Sequence, residues 1–241
     1  MKRSRVFLLV LALTTVASLN SAQAQVVNQS KVGKAVPFSC KDSEAVIRSK
    51  GVVGVQNGSR SIYVGYQQVS STNKNPILAR FDNGRQTWCQ TNLETTNDDS
   101  TGYGLSWDGK DNLFAVFSST GTQGTPAQDF RRFATKGWMT DYGVGGGAKA
   151  AIIARINPTT GGPTSATFIS SVLPNSKTNS VGVTALDWNG ARLKVSDDAY
   201  SYPRNVLRKG MVCLTGSPYK QVIEFNGTLN TALSSKADRC Q

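Results

Sequence analysis

Beyond residue 45 the apolar positions come in short runs of β-branched and aromatic residues, broken by Gly, Asn, Asp and Pro. That alternation of run and breaker predicts strands joined by turns, and no stretch carries a convincing amphipathic helix period. The pattern also recurs. Residues 52–66 read VVGVQNGSRSIYVGY and residues 103–117 read YGLSWDGKDNLFAVF, while residues 184–196 read TALDWNGARLKVS. Each is a strand, an Asx-Gly turn (Asn57-Gly58, Asp108-Gly109, Asn189-Gly190) and a second strand. Asx-Gly supplies the positive φ that a tight hairpin needs. A second half follows each time: ILARFDNG then QTWCQT, IIARI then SATFIS, VIEFNG then LNTAL. The sequence therefore predicts three four-stranded antiparallel repeat units, A to D, over roughly 52–92, 103–171 and 183–233.

GSRSIYVGY at 58–66 and AAIIARINPTTGG at 150–162 resemble the bacterial β-propeller repeat (SBBP-like) of exported proteins. The resemblance implies an all-β, β-propeller-like fold spanning most of the chain. Three units depart from it, because a closed ring ordinarily takes about four to eight blades. A β-trefoil is the alternative fold: it too has three four-stranded repeats, and Gln86-Thr87-Trp88 looks like the Q-x-W motif of trefoil lectins.

The N-terminus changes the picture of where the protein works. Lys2, Arg3 and Arg5 precede an apolar run from Val6 to Leu13, continued by Val16 and Ala17, and then Ala22-Gln23-Ala24. A basic start, a short apolar stretch and a small-x-small site form a bacterial-type signal peptide over 1–24, cleaved after Ala24. The run falls short of the about 20 residues of a membrane span. The expected mature chain, 25–241, is a single all-β repeat domain, secreted or periplasmic, with no membrane span. Its four cysteines, Cys40, Cys89, Cys213 and Cys240, read as two disulfides in an oxidising compartment. Three pairings are possible. Cys213–Cys240 is favoured, with Cys40–Cys89, because the B–C link of unit three and the end of its D strand emerge on the same face.

The formal net charge is +12, and loss of Lys2, Arg3 and Arg5 leaves about +9. Such a charge favours an anionic polysaccharide or cell-envelope polymer as partner; export makes nucleic acid an unlikely one. The chain has no histidine. That excludes Ser-His-Asp and Cys-His catalysis, and with the cysteines paired it removes nearly all zinc and copper sites, so no metal site is expected. No phosphate loop or dinucleotide fingerprint is present, so no cofactor is expected. Asp108 and Asp187 read as turn formers rather than ligands.

The units differ chiefly in their B–C links: short in unit one (68–76), long in unit two (119–149), intermediate in unit three (198–220, opened by Asp197-Asp198). Variable loops on one face of a rigid scaffold are where binding usually lives. The candidate ligand-binding residues are Phe130, Arg131, Arg132, Trp138 and Tyr142 from the long link, where Lys136 also lies, with Tyr202, Arg204 and Arg208 from the third. Aromatic rings stack on sugars and Arg forks grip carboxylate or phosphate. The other reading of the same residues is a folded arm whose aromatics form a satellite core. The expected function is a secreted, non-catalytic binding module for an anionic glycan or envelope polymer. The alternatives are a self-assembling structural subunit, pairing as a homo-oligomer through exposed strand edges, and a carboxylate-based polysaccharide-active enzyme.

Overall fold

The computed structural model describes residues 29–241. The expected signal peptide and its cleavage site lie outside the described residues. The described chain is all-β, built from several antiparallel sheets, none of them closed. A short strand β1 (Gln29–Val32) and a helix α1 (Glu44–Ser49) come first. Strands β2 (Val53–Asn57), β3 (Arg60–Gln68), β4 (Lys74–Asp82) and β5 (Arg85–Gln90) form one sheet in chain order. Strands β6 (Thr101–Trp107), β7 (Leu113–Ser119), β8 (Ala150–Ile156) and β9 (Pro163–Ile169) form the next, with β1 added beside β6. A two-residue ribbon, β10 (Ser171–Val172) with β11 (Thr178–Asn179), precedes the last sheet. That sheet holds β12 (Val181–Trp188), β13 (Arg192–Ala199), β14 (Tyr219–Asn226) and β15 (Ala232–Ala237).

Local sequence explains these elements. The three Asx-Gly pairs close the β2–β3, β6–β7 and β12–β13 hairpins, with Gly58, Gly109 and Gly190 all at positive φ. Asp108 holds its turn through its carboxylate, which accepts the N–H of Lys110 at 2.8 Å and of Asn112 at 3.1 Å. Asp187, expected in a turn, instead lies within β12 opposite Lys194. The central strand β7 is buried at all seven positions, which is why its sequence, LFAVFSS, shows no alternation. A trefoil would draw strands of different units into one closed barrel. Here each large sheet keeps its consecutive strands and stays open, so the trefoil alternative is set aside.

Like β1 and the β10–β11 ribbon, helix α1 is an element the periodicity did not announce. At six residues it spans fewer than two turns and buries only Ile47. Ser43 caps it, and Glu44 and Arg48 pair across one turn at 2.7 Å. Glu44 also accepts hydrogen bonds from Ser61 and, at 2.8 Å, from the Tyr63 hydroxyl. Ile47 closes a small core with Phe38, Val52, Tyr63, Ile77, Ala79 and Phe81, bordered by Cys40 and Cys89. Those two cysteines form one disulfide and Cys213 and Cys240 the other, the pairing favoured on sequence.

The sheets meet at β6. It packs on β2, β3 and β4 of the first sheet and on β12 of the last, and β1 reaches both β2 and β12. The approach to β3 is too close for a side chain. A Cβ on Gly102 would stand 2.3 Å from Val64 Cγ2 and 3.0 Å from the Gly65 carbonyl.

One core position is occupied by an acid. Along β13, Leu193, Val195, Asp197 and Ala199 point inward and are buried. Asp197 therefore belongs to the strand and does not open the loop; the link begins at Tyr200. Neither carboxylate oxygen of Asp197 has a hydrogen-bond partner among the described residues. Burial, reinforced by the charge of Asp198, pushes its acid well above the usual carboxylate range. Across the sheet junction the Tyr103 hydroxyl accepts the N–H of Val183, Asp197's cross-strand partner, at 3.1 Å.

Two predictions follow from this packing. An acid whose pKa is raised by folding contributes stability at low pH and loses it as pH rises through the folded value. Asp197→Asn should therefore unfold at higher urea than the parent at pH 7.5, by about 1–3 kcal/mol, with the gap closing at pH 4. Equal midpoints at both pH values would contradict this. Gly102→Ala should lower stability by about 1–3 kcal/mol through overpacking of the β3–β6 junction, read from the same urea curves.

Candidate functional site

The long link between β7 and β8 is a built structure. It opens with single 3-10 turns at Pro126–Gln128 and Phe130–Arg132. The buried Asp129 caps the second turn by accepting the Arg131 N–H at 2.8 Å and pairs with the Arg131 guanidinium at 2.7 Å. The chain then runs along β9. Ala166 N–H donates to the Phe133 carbonyl at 2.9 Å, and Phe168 N–H to the Met139 carbonyl at 3.1 Å. An edge strand is thereby covered, the usual remedy for exposed pairing groups. The same segment also grips the last sheet: Trp138 N–H donates to the Leu229 carbonyl at 2.9 Å, and its indole N–H to Val206 O at 2.8 Å.

This architecture corrects the expected binding face. Phe130, Trp138 and Tyr142 are 1 %, 5 % and 0 % exposed. The Phe130 ring packs on Phe117 at 4.9 Å and Trp138 on Phe225 at 5.7 Å, so these rings present no face to a ligand. The arm folds by burying its aromatics, as a link of that length must. The arginines are engaged inside it. Arg131 serves Asp129 and the Gly124 carbonyl, and the hydrogen bond to Asp129 holds its charge firmly in place. Arg132 donates to the carbonyls of Asn92, Leu93 and Ala127 and lies over the Phe133 ring; burial lowers its pKa. Arg204 donates to Ser170 O at 3.0 Å and to Arg208 O at 2.7 Å, and burial lowers its pKa too. Arg208 is exposed, with one contact to Trp138 O at 3.4 Å, and Tyr202 is half-buried, its backbone bridged to Val172.

The arm does frame a cleft, at another place. Between its middle segment, the β8–β9 hairpin and the β14–β15 turn lies a cavity of about 400 Å³. Its lining includes Phe133, Lys136, Arg155, Ser165, Thr228 and Asn230. Lys136 is exposed, and no ion pair among the described residues includes it or Arg155. Arg155 is oriented by neutral groups, donating to Asn112 Oδ1 at 2.7 Å and to Gly227 O at 3.3 Å. Ser165 Oγ is buried with no hydrogen-bond partner among the described residues. The cleft thus presents an ammonium, a held guanidinium, hydroxyls, an amide and the edge of a ring. Those groups can meet one carboxylate, sulfate or phosphate together with neighbouring hydroxyls. No carboxylate lines it.

Sequence reasoning reached Lys136 but not Arg155, Ser165, Thr228 or Asn230. The last two come from a turn more than sixty residues away, brought in by sheet packing. Only Arg155 left a signal, a lone cation inside the apolar run AAIIARI of β8. Among the described residues no group of three His, Cys, Asp or Glu gathers.

Comparison with protein-family models, with curated proteins and with solved structures finds no significant match for this chain.

The engagement of Arg132 yields a test. Arg132→Ala should lower stability by about 0.5–1.5 kcal/mol, because two exposed carbonyls and one part-buried carbonyl lose their donor. An unchanged thermal midpoint would contradict the bracing role.

Proposed function

We propose that the protein is an exported, non-catalytic binding module that holds an acidic group of an anionic glycan or envelope polymer in the cleft between Lys136 and Arg155. The observation that carries this reading is two cations without a carboxylate partner lining one cavity of about 400 Å³. The excess of basic residues adds long-range attraction for such a polymer. The lining lacks the pair of carboxylates that glycoside hydrolysis requires, which favours binding over cleavage. Two disulfides fit an oxidising compartment, in keeping with the basic and apolar start of the chain. The three large sheets, gathered around β1 and β6, are read here as blade-like units of an open, propeller-like arrangement.

A second reading rests on a different observation. Val206, Leu207, Val212 and Leu214, on the link between β13 and β14, are 38 %, 68 %, 79 % and 71 % exposed. Four exposed apolar side chains on one disulfide-pinned loop suit contact with a second copy of the chain.

One experiment separates the two. Retention on acidic and neutral polysaccharides is measured at low and high salt, for the parent and for Lys136→Glu. Salt-sensitive retention on an acidic polymer is expected, weakened about 10- to 100-fold by the substitution, the equivalent of one charge-assisted contact. Stability should move by no more than about 0.5 kcal/mol. Retention untouched by Lys136→Glu would refute the cleft, and a dimer by light scattering that dissociates in Leu207→Asp would favour assembly.

A further inference from the structure

The link from β5 to β6, residues 91–100, is buried more deeply than a connection of its kind should be. Glu94, Asp98 and Ser100 are all 0 % exposed, and Thr96 is buried between them. The N–H and hydroxyl of Thr96 both donate to Glu94 Oε1, and the hydroxyl lies 3.1 Å from Asp98 Oδ2. Asp98 Oδ2 also accepts the Gln123 N–H at 2.8 Å. One oxygen of each acid is thereby satisfied. The others, Glu94 Oε2 and Asp98 Oδ1, are buried and accept nothing from the described residues, and Ser100 Oγ is likewise unpartnered. Burial pushes the Glu94 acid up to about 7, against the hydrogen bonds from Thr96 and with help from the charge of Asp98.

Neighbouring chain supplies more oxygen of the same kind. Asn73 donates through Nδ2 to the Thr96 carbonyl at 2.9 Å, and Ser100 N–H donates to the Lys74 carbonyl at 2.9 Å. Asn73 Oδ1 and Asn75 Oδ1, flanking Lys74, are buried and unpartnered as well. Five of the eight buried, unpartnered side-chain atoms among the described residues thus belong to this one stretch of fold. No ion pair among the described residues reaches Glu94 or Asp98. The nearby cations are engaged elsewhere: Arg131 with Asp129, Arg132 with carbonyls, and Lys74 and Lys149 with the outward-facing Asp99. Arg131 and Arg132 lie near enough to feel the charges of Asp98 and Glu94 without pairing directly with either, and two buried acids without a direct ion pair are costly unless a cation or a proton joins them.

We propose that Glu94, Asp98 and Ser100 bind a calcium ion, with the amide oxygens of Asn73 and Asn75 at the border of the site. Every donor is an oxygen, which selects a hard cation. Calcium accepts six to eight oxygens, neutral ones included, in irregular geometry, whereas magnesium demands a near-ideal octahedron. With only two carboxylates the site belongs to the weak class, with Kd about 10⁻⁴–10⁻³ M. The ion would join the link to the arm above it, since Asp99 N–H donates to Thr120 Oγ1 at 2.9 Å and Thr95 N–H to Gln128 O at 2.9 Å. This site is independent of the anion cleft, and neither stands or falls with the other.

The test uses chelator-treated protein, titrated with CaCl2 in a calorimeter and melted with and without 10 mM CaCl2. One ion per chain is expected, with the Tm rising by about 3–10 °C. Glu94→Gln should abolish both effects, whichever way its own stability moves. If that variant does not fold, Ser100→Ala should weaken the calcium response while the protein stays folded. Absence of binding heat in the parent, a Tm shift reproduced by NaCl of equal ionic strength, or an equal response to MgCl2 would overturn the assignment.

Discussion

The fold depends on how closely β6 can approach β3. Where the strands cross, Gly102 stands against Val64 and the backbone of Gly65, with no room for a Cβ. Gly65 is equally confined, since a Cβ there would meet the Val36 carbonyl at 2.2 Å. Backbones that near exclude water and leave no slack for repacking. Because β6 also contacts β2, β4 and β12, the spacing set there fixes the first and last sheets relative to the middle one. The large core that runs from Val53 to Ala232 is continuous across all three sheets for this reason. Asp197 is tolerated inside that core because its strand is held by neighbours on both sides, β12 and β14.

The arm between β7 and β8 uses aromatic and basic residues for opposite ends. Its rings turn inward and supply the apolar burial that orders a thirty-residue excursion. Its arginines donate to carbonyls and pair with one buried acid rather than facing outward. Lys136 stays exposed and lines one cavity with Arg155, whose donors are aimed by an amide and a carbonyl. Side chains recruited for folding and side chains left exposed alternate within a few residues of one another here.

Strands, hairpin turns and both disulfides were legible in the sequence because each has a local cause. Asx-Gly fixes a turn by backbone sterics, and paired cysteines need only an oxidising compartment and a shared face. The link boundaries were legible to within a few residues; after β13 the expected start falls two residues early, because two adjacent acids imitate a loop start although one of them is a core position. Helix α1 escaped notice because six residues cannot display a helical period. The site was the least legible part. Phe130-Arg131-Arg132-Phe133 has the composition of a binding surface, but composition does not say which way a ring points. The true walls of the cleft come from β8, β9 and the β14–β15 turn, a juxtaposition that only tertiary packing creates.

The arm is stitched on one side to β9, through Phe133 and Met139, and on the other to the last sheet, through Trp138. The cleft it frames consequently straddles a seam, with walls belonging to two different sheets. A ligand seated there would touch both sheets at once, so its grip would depend on their spacing. The width of the cleft and the alignment of the sheets are thus one mechanical variable.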